Sequence, residues 1–138
     1  MRVGRSEADE QKAVIQWCIL MEKRWPELEY LYHVPNGGSR NRIEAANLKE
    51  EGVKAGVPDL ELPAARGNYT GLHIELKHGN NKVTADQDRF LKALRRMGRC
   101  AVVCYEAESA IQVLSEYMQL KPGHYLSCDV LPEYPILK

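Results

Sequence analysis

Two acids and a lysine stand in neighbouring segments of the sequence in an order that could carry hydrolytic chemistry. Asp59 follows a proline, and Glu75 and Lys77 come later in the chain with one residue between them. Two carboxylates that lie close together repel each other unless a cation sits between them, and carboxylate oxygens suit a hard ion such as Mg²⁺ or Mn²⁺. A lysine beside such an ion can stabilise charge on a phosphoryl group. These residue types therefore indicate hydrolysis of a phosphodiester bond.

The same residues also have an ordinary structural interpretation. Polar residues that alternate along a strand usually face solvent, and a glutamate close to a lysine usually forms a surface ion pair worth about 0–1 kcal/mol. Pro-Asp followed by Glu-x-Lys is short enough to arise by chance. The context favours chemistry, because these residues fall on two consecutive predicted strands, with a helix carrying inward acids before them and a helix and an apolar strand after them.

Hydrophobic spacing, caps and breakers predict the elements that would position these residues. In chain order they are helix 6–25, strand 28–34, helix 41–51, strand 58–63, strand 71–77, helix 84–97, strand 100–105 and helix 107–120. The fifth element alternates strictly, with aliphatic side chains on one face and His73, Glu75 and Lys77 on the other. Pro58 and Pro63 bracket the fourth element and confine it to an edge or to few ladder bonds. The order predicts an α/β sandwich with one mixed sheet.

The first predicted helix carries acids on its inward side. Ser6 and Asp9 resemble a capping box, and the apolar stripe that follows extends back to Glu7 and Glu10. At least one of these two carboxylates should therefore point toward the buried side. Acids near a helix start also interact favourably with the helix dipole, so a functional and a purely structural role stay open for each.

Composition and charge exclude several classes of protein. With 138 residues, of which 44% are apolar and 28% charged, the chain suits one globular domain rather than a disordered or coiled-coil protein. Nineteen basic residues balance nineteen acidic ones, so any site for a polyanion must be local. No apolar run could span a bilayer and the first residues lack a secretory signal, which favours an intracellular, cytoplasmic protein. The four cysteines show no CxxC spacing, which favours reduced core residues over a zinc site.

Four segments together strongly resemble the VRR-NUC nuclease domain, a branch of the PD-(D/E)xK restriction-endonuclease-like superfamily. They are HVPNGGSR (33–40), LKEEGVKAGVPDLELP (48–63), GLHIELKHG (71–79) and TADQDRFLKAL (84–94). The resemblance extends over roughly residues 6–118. It implies an α/β, restriction-endonuclease-like core of three layers, with a central mixed β-sheet flanked by helices. The domain would occupy residues 1–120, and the Pro-rich tail at 121–138 would be docked on it or lie at a dimer interface.

The resemblance also implies roles for the residues at the strands. Asp59 and Glu75 match the metal-binding acids, and the backbone carbonyl of Leu76 matches a further ligand. Lys77 matches the catalytic lysine. The implied cofactor is Mg²⁺ or Mn²⁺.

Two more catalytic positions come from the helices. Gln87 matches the glutamine on the helix after the ExK strand, although Thr84 and Gln87 also satisfy a capping box outright. Both roles can coexist only if the cap does not consume the glutamine side chain. A first-helix glutamate reaches the site in this family, and Glu7 fits that position better than Glu10, with the choice left open.

Two polar residues close to these positions have open roles. Glu61 lies two residues after Asp59 on the same face and could compete as a ligand, although we favour a neighbour that shapes the electrostatic field. His73 shares the face of Glu75 and could touch DNA, although a lone histidine is more often a local hydrogen-bonding group.

By this resemblance the expected function is a metal-dependent DNA endonuclease. Stand-alone members of the family resemble Holliday-junction resolvases and tend to work as symmetric homodimers, so branched or structured DNA, such as a Holliday junction or a flap, is the expected substrate. The alternative is a non-cleaving DNA-binding module with a nuclease fold. Loop residues near the site could hold the DNA backbone, although each charge alone is typical of a solvated surface. They are Asn36, Gly37, Arg40, Arg42, Lys49, Lys54 and Lys82.

Overall fold

A computed structural model describes residues 6–35 and 41–127 of the chain. The elements follow the predicted alternation, with one 3₁₀ helix added near the start. They are α1 (Glu7–Met21), the 3₁₀ helix (Pro26–Tyr30), β1 (Tyr32–His33), α2 (Arg42–Glu50), β2 (Leu60–Leu62), β3 (Leu72–Lys77), α3 (Ala85–Arg96), β4 (Cys100–Tyr105) and α4 (Glu106–Met118). In these two ranges, no helix is long and apolar enough to cross a membrane.

The four strands form one mixed sheet in the order β1-β2-β3-β4. The first two pairs are antiparallel, whereas β3 and β4 run parallel and are joined by the crossover helix α3. The prolines that flank β2 predicted either an edge strand or a strand with few ladder bonds. Strand β2 lies between β1 and β3 and is short, so the second outcome is the one observed. The mixed sheet expected from the sequence is confirmed.

Helices cover the sheet from both sides. The aliphatic face of β2 and β3 packs with residues of α1 and α4, among them Val14 and Leu114. On the other face, Leu91 of α3 and Val83 pack against the small residues of β4. Because side chains alternate along β3, its two leucines and its isoleucine face α1 and α4. Glu75 lies on the opposite face of the sheet, which α3 covers. Cys18, Cys100 and Cys104 are buried and free, as expected of core residues, whereas Cys128 lies outside the described residues.

The segment predicted as a strand over 28–34 is mostly not one. Residues Pro26–Tyr30 form a 3₁₀ helix, and only Tyr32–His33 pair in the sheet. Proline favours the first position of a helix because its φ is already helical. Leu28 of this turn lies in the core, with 2% of its surface exposed. The helix-starting effect of Pro26 thus outweighs the β-forming composition of the segment.

A buried carboxylate joins the first helix to the last. Glu10 is fully buried, and its Oε1 accepts a hydrogen bond of 2.9 Å from the backbone N–H of Ala107. The N-cap residue of α4, Tyr105, provides no side-chain cap. Glu10 therefore supplies from α1 the acceptor that the first turn of α4 lacks, and the positive end of that helix favours its charge.

A close backbone approach holds the loop before β2 against α3. Gly56 has a φ of +88°, and a Cβ added there would overlap the backbone carbonyl of Asp86 and lie 2.9 Å from the backbone nitrogen of Gln87. Both contacts are with the first turn of α3. The chain that leads to Asp59 is therefore positioned by a contact that only glycine permits.

We expect Gly56→Ala to lower the free energy of unfolding by about 2–4 kcal/mol, since it combines steric overlap with an unfavourable φ. Gly79→Ala is the matched control, because Gly79 also has a positive φ of +62° but no atom within 4 Å of the added Cβ. It should cost about 1 kcal/mol. Urea unfolding of both variants measures the difference, and equal losses would contradict the close approach.

Candidate active site

Three carboxylates from separate parts of the chain meet at one recess. One oxygen each of Glu7, Asp59 and Glu75 lies within 4.8 Å of the others. All three residues line a recess of about 430 Å³ together with Lys77 and Gln87. The structure thus brings together all five side chains that the resemblance implied as catalytic.

The strand register sets the two acids of the sheet opposite each other. Leu60 of β2 pairs with Ile74 of β3 in antiparallel register. The next residues on each side, Asp59 and Glu75, therefore lie directly opposite each other. The Asp59 carboxylate is fixed there, because its Oδ2 accepts a hydrogen bond of 2.8 Å from the backbone N–H of Leu76. A role for the Leu76 carbonyl as a ligand stays a prediction.

A capping box brings the third acid to the recess. The backbone N–H of Asp9 donates to Ser6 Oγ over 3.2 Å, and the backbone N–H of Ser6 donates to Asp9 Oδ2 over 2.9 Å. This box starts α1 at Glu7, which lies in the recess, whereas Glu10 is one turn further on and bonded to α4. Of the two alternatives on the first helix, the structure places Glu7 beside the other acids.

Burial and repulsion act most strongly on Glu75. Only 2% of its surface is exposed. Burial, and then the nearby charge of Asp59, raise its pKa to about 9. Its Oε1 is buried with no hydrogen-bond partner among the described residues. For Glu7, burial and then Asp59 also raise the pKa. The recess therefore holds more negative charge than its own surroundings stabilise.

The ammonium of Lys77 lies among these acids. Lys77 Nζ lies 3.7 Å from Glu75 Oε2, and both side chains are almost fully buried. Among the described residues that line the recess, three carboxylates face one ammonium, and Glu75 Oε1 is buried without a hydrogen-bond partner. An all-oxygen donor set of this kind fits a hard divalent cation such as Mg²⁺ or Mn²⁺.

The side chain of Gln87 makes the cap contact and also reaches the acid recess. Its backbone N–H donates to Thr84 Oγ1 over 3.1 Å, and its side-chain Oε1 accepts from the backbone N–H of Thr84 over 2.9 Å, which completes the capping box. The other end of the amide remains available, and Nε2 donates to Glu75 Oε2 over 3.2 Å. The cap uses the oxygen and the site uses the nitrogen.

Glu61 and His73 lie in a separate polar cluster. Glu61 carboxylate oxygens lie 3.7 Å from His73 Nδ1 and 3.8 Å from Arg99 Nη1. His73 is 6% exposed, and its Nε2 lies 3.3 Å from Arg99 Nη1. Neither residue lines the acid recess. Glu61 is thus placed as a neighbour of the site, and His73 is held by local contacts.

One residue beside the acids, His33, was not assigned to the site from the sequence. His33 lines the recess, and its Nδ1 lies 2.9 Å from the backbone carbonyl oxygen of Asp59. The signal for it was the segment HVPNGGSR, which begins at this histidine.

Four of the basic residues proposed for DNA contact are described by the structure, and none of the four lines the recess. Arg42 and Lys49 are on α2, Lys54 is in the loop before β2, and Lys82 is in the loop after β3; all four are exposed. Asn36, Gly37 and Arg40 lie outside the described residues. A contact of any of these seven residues with DNA stays a prediction.

Comparison with known proteins decides the family. The model of the VRR-NUC domain matches residues 5–108. The chain belongs to the VRR-NUC family. A solved structure of a VRR_NUC domain protein is 37% identical in sequence, with a TM-score of 0.72, and the match covers 86% of this chain and 93% of that one. No curated protein matches the chain. A VRR-NUC domain is a nuclease-type domain that acts on DNA, and the shared structure confirms the α/β fold.

In the metal-free protein, we expect Glu75→Gln to raise the melting temperature by several degrees at about pH 7.5. The pKa of Glu75 is about 9 in the folded protein, above its ordinary value of 4.5. The stability that protonated Glu75 contributes is therefore complete below pH 4.5 and is lost as the pH rises from there toward about 9. Glutamine removes this loss, so the two melting temperatures should converge near pH 5. Thermal unfolding in EDTA at both pH values measures the effect.

Glu29→Gln serves as the control, since Glu29 is an exposed glutamate outside the recess. Its melting temperature should follow the wild type at both pH values. A Glu75→Gln protein that is less stable than the wild type at the higher pH would show that the acids do not repel one another as described.

Proposed function

We propose that this VRR-NUC domain is a metal-dependent DNA endonuclease that hydrolyses phosphodiester bonds. The observation that carries the proposal is the buried, unpartnered oxygen of Glu75 next to the carboxylates of Asp59 and Glu7. These three acids would hold Mg²⁺ or Mn²⁺, with the Leu76 carbonyl as a further ligand. When bound, the ion would polarise the phosphodiester and lower the pKa of water.

The residues of the chain have distinct tasks in this reaction. Lys77, held beside Glu75, stabilises the charge that develops on the phosphate oxygens. Gln87 orients the Glu75 carboxylate through its Nε2, and the Leu76 N–H orients that of Asp59. Holding these groups in place before the substrate arrives reduces the reorganisation needed in the transition state.

For the substrate we propose branched or structured DNA, such as a Holliday junction or a flap, cut by a homodimer in the cytoplasm. Two copies would supply two active sites for two cuts, and dimerisation would add binding surface to a chain whose net charge is zero. Tyr30 and Tyr32 are exposed by 64% and 47% and suit an interface. Basic residues on α2 and the flanking loops would hold the phosphate backbone.

We place the nuclease domain at residues 1–120 and the tail at 121–138. The first part of the tail packs on the domain in the structure. Leu126 is buried, its backbone N–H donates to the Tyr69 hydroxyl over 3.2 Å, and the N–H of Ser127 donates to Glu116 Oε1 over 3.1 Å. This docking favours residues 121–127 as part of the folded unit.

We expect Asp59→Asn and Lys77→Met each to reduce divalent-dependent DNA cleavage by at least about a hundredfold, since one removes a ligand charge and the other the ammonium near the phosphate. Glu61→Gln is the matched control, because Glu61 lies on β2, two residues after Asp59, but outside the recess. It should cleave within about threefold of the wild type. Cleavage of supercoiled, flapped and four-way DNA with Mg²⁺, Mn²⁺ or EDTA measures these effects.

The same panel of substrates separates the remaining possibilities. Preferred cleavage of the four-way or flapped DNA supports the proposed substrate. A dimer in analytical ultracentrifugation supports the proposed assembly. Equal activity of the wild type and Asp59→Asn would overturn the metal-dependent mechanism. DNA binding without cleavage at any divalent ion would instead identify a non-cleaving DNA-binding module.

A further inference from the structure

The ring of His33 is fixed at the acid recess through one of its two nitrogens. His33 pairs with Leu60 in the short strand β1 and lines the recess together with the three acids. Its Nδ1 lies 2.9 Å from the backbone carbonyl oxygen of Asp59, and the backbone N–H of Val34 donates to the same oxygen over 2.8 Å. The imidazole is therefore tied to the backbone of a residue whose side chain belongs to the acid cluster.

This contact determines which nitrogen of the neutral ring carries the proton. A carbonyl oxygen can only accept hydrogen bonds, so Nδ1 is the donor. A neutral imidazole holds a single N–H, and its other nitrogen then has a free lone pair. Within residues 6–35 and 41–127, Nε2 has no hydrogen-bond partner. The contact with Asp59 therefore leaves Nε2 as the atom with which His33 can act in the recess, and that atom is an acceptor.

His33 lies apart from the group that would hold the cation. One oxygen each of Glu7, Asp59 and Glu75 lies within 4.8 Å of the other two, whereas neither nitrogen of His33 belongs to this or any other such group among the described residues. Its Nδ1 is also occupied by the backbone of Asp59. We therefore place His33 beside the cation site and outside the set of ligands.

An acceptor at this place in the recess suits a water molecule and no part of the phosphodiester. Phosphate oxygens accept hydrogen bonds, and the deoxyribose within a DNA strand has no hydroxyl, so neither can donate to Nε2. The water that hydrolyses the bond has two O–H groups and must approach phosphorus from a defined direction. A ring that is anchored by its other nitrogen can hold this water in one orientation.

We propose that His33 is a further catalytic residue, whose Nε2 accepts a hydrogen bond from the attacking water and orients it toward phosphorus. The inference rests on the proposed nuclease function and goes beyond it, because it assigns the orientation of the nucleophile to a residue of β1. The backbone carbonyl of Asp59 then fixes the ring that holds the water, while the carboxylate of Asp59 serves the cation. Misplacement of a reacting group by about 1 Å can reduce the rate about a hundredfold.

One substitution separates the two nitrogens of the ring. The amide of asparagine reaches the position of Nδ1 only, so His33→Asn keeps a donor for the Asp59 carbonyl and removes the acceptor at Nε2. With the DNA that the wild type cleaves fastest, it should lower kcat by at least about tenfold and leave KM unchanged. Calorimetry without DNA should give the Mn²⁺ affinity of the wild type.

His124→Asn is the matched control. His124 is an exposed histidine outside the recess, so this variant should equal the wild type in kcat, KM and Mn²⁺ affinity.

The tautomer can be measured without any activity. Proton–nitrogen correlation spectra of the imidazole rings, recorded on the metal-free wild type in EDTA at a pH where the ring is neutral, should place the proton of His33 on Nδ1. The signals absent from His33→Asn assign this ring. A proton on Nε2 would overturn the inference, because Nε2 could then accept no hydrogen bond from water.

The kinetic and binding results can overturn the inference in three further ways. Unchanged kcat in His33→Asn would show that the retained bond to Asp59 is the whole role of the ring. A loss of Mn²⁺ affinity in His33→Asn would make His33 a ligand of the cation. A raised KM with unchanged kcat would make it a DNA contact.

Failure of the inference and failure of the proposed function give different results. A wild type that cleaves DNA, with His33→Asn equal to it, leaves the nuclease intact and removes the role of His33. A wild type that binds no Mn²⁺ and cleaves no DNA overturns the proposed function and the inference together.

Discussion

Repulsion between carboxylates that the fold forces together is the interaction on which the rest of this site depends. The antiparallel register of β2 and β3 sets Asp59 opposite Glu75, and the start of α1 adds Glu7. Burial strengthens the repulsion, because the interior screens charge less than water does. Such a cluster is stable only if a proton or a cation offsets it, and an all-oxygen donor set favours a hard divalent cation.

The contacts around the acids orient them without neutralising them. The backbone N–H of Leu76 holds Asp59, and the side-chain amide of Gln87 on α3 holds Glu75. Each of these donors is neutral, so the negative charge is kept for a ligand. Lys77 is the charged partner among the residues that line the recess, and its position beside Glu75 suits contact with a phosphate as well.

Much of this arrangement could be predicted from the sequence, because it depends on local patterns. The alternation in 71–77 assigned Glu75 and Lys77 to one face, and the capping box of Thr84 and Gln87 fixed the start of α3. Local spacing could not separate Glu7 from Glu10, since both extend the same helical stripe. The choice depends on how α1 packs, which directs Glu10 to the start of α4.

Other features depend on contacts between distant segments or on competition between signals. A β-rich composition predicted a long strand over 28–34, but Pro26 begins a 3₁₀ helix there. The contact of His33 with the backbone carbonyl of Asp59 joins β1 to the residue just before β2, so no pattern within either segment reveals it.

The most direct test of the shared cation site is anomalous diffraction from crystals of the wild-type protein soaked in Mn²⁺, measured at the manganese absorption edge. The account predicts an anomalous peak between the carboxylates of Asp59 and Glu75, within coordination distance of both. A well-ordered recess with no peak, or a peak elsewhere in the protein only, would contradict it.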